Sequence, residues 1–181
     1  LFCGFYSIIT AISGNYVLAA IYILFAMILD GLDGRVARMT NTQTSFGEYF
    51  DSLSDMLCFG VAPALLIYLS SLSMFTSGYL AKISYIACFI YIASTAIRLA
   101  RFNSRNQTTD KKYFMGLASP AAAAILICYV WLMQDLGVDI HSYVTLTVIL
   151  IVSLSILMVS NIAYMSFCLL YTSDAADDSI R

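Results

Sequence analysis

Residues 30–55 read DGLDGRVARMTNTQTSFGEYFDSLSD, and they hold Asp30, Asp33, Glu48, Asp51 and Asp55, nearly half of the 11 acidic residues in a chain of 181. On either side the sequence changes character. No Asp, Glu, Lys or Arg occurs at 1–29, 56–81, 83–97, 113–134 or 140–173. Overall 61% of residues are apolar or aromatic and 11% are charged, with a mean hydropathy of +0.85. A soluble domain carries about 25% charged residues, so a water-solvated globule is excluded and a bilayer is the expected solvent.

A spanning helix needs about 20 apolar residues, and the apolar blocks with their flanks supply spans near 15–37, 45–69, 78–103, 117–134 and 142–171. The opening 1–13 is apolar but too short to span, and Gly14-Asn15 marks a turn after it. With no initiator Met and no basic stretch or small-residue cleavage site before the apolar run, this opening reads as a first helix truncated at its start, not as a signal peptide. The expected fold class is all-α: a polytopic membrane protein, a six-transmembrane-helix bundle forming one domain over 1–171. The last ten residues, TSDAADDSIR at 172–181, turn polar without periodicity and read as a tail, native or a scar.

Basic residues set the orientation. Arg35 and Arg38 follow the second helix, while Arg98, Arg101, Arg105, Lys111 and Lys112 follow the fourth, leaving Lys82 on the opposite side. By the positive-inside rule the first side is cytoplasmic, and Tyr16, Tyr79, Tyr113, Phe114 and Tyr143 stand at span ends as interfacial aromatics. The net charge of −2 argues against a nucleic-acid partner. The five cysteines, Cys3, Cys58, Cys88, Cys128 and Cys168, sit in apolar stretches with no CxxC pair, which reads as free thiols.

Carboxylates at membrane depth need compensation. Insertion scales put each at roughly 2.5–3.5 kcal/mol, so four unpaired ones cost on the order of 10 kcal/mol. Asp30 and Asp33 are three residues apart at the end of one helix, and Asp51 and Asp55 are four apart near the start of the next. Each pair therefore shares a helical face, with about 4.5 and 6 Å of axial rise. Two such faces meeting give four convergent hard-oxygen ligands, which suit magnesium, manganese or calcium, not zinc. Two divalent ions would balance the four charges and clamp a phosphoryl group. A proton or cation relay in a transporter is the competing reading, and spacing alone leaves both open. Between the pairs, Ser45 with Glu48 matches a capping box. Gly34 and Gly47 leave room for a flat ligand beside the acids, although small residues also serve helix packing.

As spaced positions the segment is Asp30, Asp33-Gly34, Ala37-Arg38, Gly47, Asp51 and Asp55. It resembles the signature of the CDP-alcohol phosphatidyltransferases, D-x2-D-G-x2-A-R-x8-G-x3-D-x3-D, with all eight fixed positions in register. The resemblance implies six transmembrane helices, a homodimer, and transfer of a phosphatidyl or related group from a CDP-linked donor to an alcohol, with release of CMP. The stretches LFCGF (1–5), FGEYFDSLSDMLCFGVAPALL (46–66), RLARFN (98–103) and YFMGLASPAAA (113–123) are similar to the bacterial and archaeal branch that takes L-serine as acceptor and CDP-diacylglycerol as donor. Ala118 departs from that branch, where proline often follows Gly-Leu. Carried over by position, Asp30, Asp33, Asp51 and Asp55 are the metal ligands, for magnesium or manganese, and Asp55 is also the catalytic base. Gly34, Ala37, Arg38 and Gly47 fall at the CDP-binding positions. A same-family enzyme using glycerol 3-phosphate or inositol phosphate is the nearest alternative.

Outside the motif, Arg98, Arg101 and Arg105 recur at i, i+3 and i+7 on one helical stripe. They serve either topology and snorkelling or, as Arg98 and Arg101 with Asn103, an acceptor or phosphate site. Ser119-Pro120 reads as N-cap and N1 of an apolar helix. His141, the only histidine, lies in a loop away from the acids and is expected to have no catalytic part.

Overall fold

Hydrocarbon offers a backbone no hydrogen-bond partners, so apolar chain satisfies its own N–H and C=O groups by forming helices. The computed structural model describes residues 1–40, 44–72, 79–105, 114–137, 143–160 and 163–164, with only the backbone of residues 37, 38, 45, 80, 105, 114, 115, 163 and 164. It contains six helices among these residues. They are α1 (Phe2–Ile12), α2 (Tyr16–Thr40), α3 (45–72), α4 (Tyr79–Arg105), α5 (Ser119–Asp135) and α6 (Val144–Val159). The expected turn between α1 and α2 is present, with Gly14 at φ +82.

Among the described residues, three stretches are long and apolar enough to cross a membrane: Tyr16–Val36 in α2, Phe46–Leu72 in α3 and Ala81–Ser104 in α4. The expectation of six spans is met only to that extent. At 17 and 16 residues, α5 and α6 are about 25 Å long, at the lower limit for spanning. The sixth span also ends early. It was expected to reach 171, but α6 stops at Val159, where Ser160 turns extended (φ −59, ψ 153). Ala163–Tyr164 then pair antiparallel with Phe114–Met115. Tertiary contacts explain the exit: Leu117 N–H donates to the Leu157 carbonyl at 3.1 Å, and Arg101 Nη1 donates to the Val159 carbonyl at 3.1 Å. Both carbonyls would have served another helical turn. The tail 172–181, Lys111, Lys112, Tyr113, His141 and Cys168 lie outside the described residues.

Helix α3 is the centre of the bundle and touches all five other helices. It is not uniform. α-Helix over Ser45–Asp55 gives way to a wider π-helical turn at Met56–Val61, returns to α-helix at Ala62–Ile67, and widens again at Tyr68–Leu72. The Ala62 N–H accordingly reaches back five residues, to the Leu57 carbonyl. Pro63 accounts for the first widening. It lacks the N–H that the Phe59 carbonyl would accept, and its ring presses on that carbonyl. Around α3 the core is close-packed from Phe59, Leu66, Ile67, Tyr91, Leu126 and Ile151, each no more than 1% exposed. α2 and α5 pack on each other, and both bury alanines, Ala19 and Ala20 on one and Ala122 and Ala123 on the other, the small residues that let membrane helices approach. Hydrogen bonds stitch neighbours together, from Ser7 Oγ to the Ala19 carbonyl (2.8 Å) and between Tyr129 Oη and Thr147 Oγ1 (2.8 Å). Cys3, Cys58, Cys88 and Cys128 are free thiols, as their sequence context indicated.

Candidate active site

The acidic residues leave the C-terminal turns of α2 and the N-terminal turns of α3, two helices joined by a short connection. Thr44 caps α3: its Oγ1 accepts from Gly47 N–H at 3.1 Å. Ser45, the expected cap, is instead the first helical residue. Adjacent Thr and Ser offered two equivalent caps, and the helix uses the earlier one, which moves Glu48 one position past capping-box register. Glu48 still places negative charge in the first turn, where the helix dipole favours it. A Cβ on Gly47 would stand 3.2 Å from Thr44 Oγ1, so glycine here also protects the cap.

With both helices in place, Asp30, Asp51 and Asp55 converge, each offering a carboxylate oxygen within 4.8 Å of the others. Asp30 is in hydrogen-bonding reach of both partners. Asp33, one turn beyond Asp30, is exposed and stands outside this triangle. It lines the same cavity of about 990 Å³, together with Gly34 and Gly47. The cavity's outer wall is apolar and exposed at Leu29, Leu32, Val36 and Phe50. Three carboxylates this close repel unless positive charge or shared protons intervene. Oxygen ligands of one magnesium or manganese ion lie about 3–4 Å apart, so a small rotation of these side chains would close the triangle on a cation. The donor set fits a hard divalent ion.

The α4 side of the site divides the candidates proposed there. Asn103 Nδ2 donates to Ser52 Oγ at 2.9 Å, tying α4 to α3 at the cavity wall. Arg98 reaches inward, close enough to Asp55 for their charges to attract. Its Nη1 donates to Ser119 Oγ at 2.7 Å, and its Nε is buried without a partner. Arg101 instead holds the end of α6 through the Val159 carbonyl. Ala37 and Arg38 continue α2, their side chains outside the described residues.

Ser119, like Ser45, does not cap its helix. Ala118 is the N-cap of α5, and the buried Ser119 hydroxyl accepts from Arg98 rather than capping the helix. Nothing in a Ser-Pro dipeptide announces a partner 21 residues upstream.

The family model for CDP-alcohol phosphatidyltransferase matches residues 1–159. The chain is 42% identical over 168 residues to a CDP-diacylglycerol–serine O-phosphatidyltransferase of Helicobacter pylori, covering 92% of this chain and 68% of that protein. A protein of the same name from Mycobacterium bovis is 37% identical over 142 residues, 76% of this chain and 48% of the relative. An archaetidylserine synthase of Methanothermobacter thermautotrophicus is 36% identical over 163 residues, 89% of this chain and 64% of the relative.

Proposed function

The chain belongs to the CDP-alcohol phosphatidyltransferase family, and on that premise we propose that it transfers a phosphatidyl group from CDP-diacylglycerol to L-serine, giving phosphatidylserine and CMP. The observation that carries the reading is the Asp30, Asp51 and Asp55 triangle, at family-motif spacing, on the wall of a cavity with an apolar outer face. The serine acceptor is supported by the relatives' names, which agree on serine and differ in the lipid. Family membership removes the transporter alternative.

In this reading Asp30, Asp33, Asp51 and Asp55 hold two divalent cations, magnesium or manganese. When bound, these ions neutralise the carboxylates and stabilise charge on the donor's diphosphate. Gly34, Ala37, Arg38 and Gly47 seat the CDP moiety, Gly34 and Gly47 by leaving backbone bare on the cavity wall. Asp55 accepts a hydrogen bond from the serine hydroxyl. As that oxygen bonds to the phosphorus carrying diacylglycerol, the bond from this phosphorus to the bridging oxygen breaks, CMP departs with the electron pair, and the proton passes to Asp55. Arg98, beside Asp55 and with Nε unpartnered, binds the serine carboxylate, with Asn103 at the rim. Arg101 takes a lesser part, since it also holds the end of α6.

The same reading makes residues 1–171 one membrane domain with a polar tail at 172–181, spanning six times and forming a homodimer. Its site faces the cytoplasm, supported by the Lys and Arg bias beside the acids. The test is an acceptor panel: purified protein in lipid micelles with CDP-diacylglycerol and labelled serine, glycerol 3-phosphate or inositol phosphate. Serine is expected to be consumed first. A phosphorylated acceptor preferred by tenfold, about 1.4 kcal/mol of transition-state discrimination, would refute the serine assignment.

A further inference from the structure

Asp55 ends the first α-helical stretch of α3, and its direction depends on how the next turn is held. That turn is irregular. Pro63 leaves the Phe59 carbonyl, four residues back, without its α-helical donor, and Phe59 is fully buried. A hydroxyl from another helix fills the gap: Tyr91 of α4, also fully buried, donates Oη–H to the Phe59 carbonyl at 3.0 Å. One turn along α4, Thr95 reinforces the contact. Its side chain packs so closely on Gly60 that a Cβ there would stand 3.2 Å from Thr95 Cγ2, and its hydroxyl donates to the Tyr91 carbonyl at 3.0 Å.

The second π-helical stretch carries the same device. Tyr16 of α2 donates its hydroxyl to the Leu69 carbonyl at 3.0 Å. Phe59 is one turn, about 6 Å of rise, beyond Asp55, whereas Leu69 is about 20 Å beyond it. The molecule thus holds two like hydroxyl-to-carbonyl contacts on one helix, one beside the acids and one remote.

We propose that Tyr91 is a positioning residue for the active site: its hydroxyl supplies the donor that Pro63 lacks, and so fixes the turn of α3 that aims Asp55 at Asp30 and Asp51. This rests on the reading of those aspartates as cation ligands. Residues that orient metal ligands typically change affinity or activity 10–100-fold when altered.

The experiment measures Mn²⁺ binding directly by electron paramagnetic resonance, alongside serine-dependent CMP release, on the full chain in micelles. Tyr91→Phe is expected to weaken Mn²⁺ binding about 10-fold or more and to lower turnover. Tyr16→Phe, which deletes an equivalent bond at the remote stretch, should leave both at wild-type values. Adding Pro63→Ala to Tyr91→Phe returns a backbone N–H to the Phe59 carbonyl and should recover Mn²⁺ affinity, which a merely loosened bundle would not do. Wild-type affinity in Tyr91→Phe, equal losses in the two tyrosine variants, or no recovery in the double variant would each overturn the proposal. If Tyr91→Phe alone does not fold, the double variant is compared with Pro63→Ala, where matching Mn²⁺ affinities are expected and a tenfold gap overturns it. Wild-type protein that binds no Mn²⁺ defeats the ligand reading itself, an outcome distinct from wild type and variant binding alike.

Discussion

Asp55 lies one turn deeper along α3 than Asp51 and is the member of the triangle that feels the Arg98 charge. A base and a pure ligand respond differently to substitution. Asp55→Asn keeps the shape and one ligand oxygen but cannot take a proton, so turnover should fall roughly 10²–10⁴-fold while Mn²⁺ and CDP-diacylglycerol affinities hold better than in Asp30→Ala. Side-by-side titrations and turnover measurements check this, and near-normal turnover in Asp55→Asn would move the base elsewhere. At this scale the sequence was informative wherever chemistry forces spacing. Asp51 and Asp55 could be grouped because an i+4 interval determines a helical face, and the structure brings them together with Asp30, whereas Asp33, paired with Asp30 by its i+3 interval and expected as a fourth member, stands outside the triangle. It was silent where a partner comes from a distant helix. Tyr91, 32 residues from the carbonyl it serves, and Ser119, 21 from Arg98, carry no local mark of those roles.

Between elements, the contact that ends α6 is the most exacting. Gly116 sits at φ +80, and a Cβ there would overlap the Met158 carbonyl oxygen. Gly14 has nearly the same backbone, φ +82, with nothing within 4 Å of where a Cβ would stand. Alanine at Gly14 therefore meets only the left-handed strain, about 1–3 kcal/mol, whereas alanine at Gly116 meets that strain plus displacement of the α6 end. Thermal unfolding in micelles should rank Gly116→Ala clearly below Gly14→Ala, and equal midpoints would contradict the packing described for 114–118. Helix positions were legible because charge-free blocks are conspicuous: α2 to α5 begin within two residues of where hydropathy puts them. The end of α6 was not, since residues 160–171 are as free of charge as the helix before them. The widening of α3 had a sign in Pro63, but proline reports only that a bond is missing, not that α4 replaces it.

At the level of the whole molecule, three acids drawn together at the end of an apolar bundle repel one another unless a positive charge or shared protons hold them. Charge poverty identified a membrane protein from composition alone, and among the described residues three stretches have the length to span. The number of crossings is harder to read, because helices near the lower length limit satisfy hydropathy without satisfying geometry. The proposed function makes one demand of the cavity that joins the acids to an exposed apolar wall, that a lipid-linked diphosphate and a hard cation meet there. The measurement that tests this most directly is incorporation of labelled serine into chloroform-soluble lipid by the purified chain with CDP-diacylglycerol, before and after EDTA and again after excess Mn²⁺. Incorporation that stops on chelation and returns with Mn²⁺ is the expected result; full incorporation in excess EDTA would contradict it.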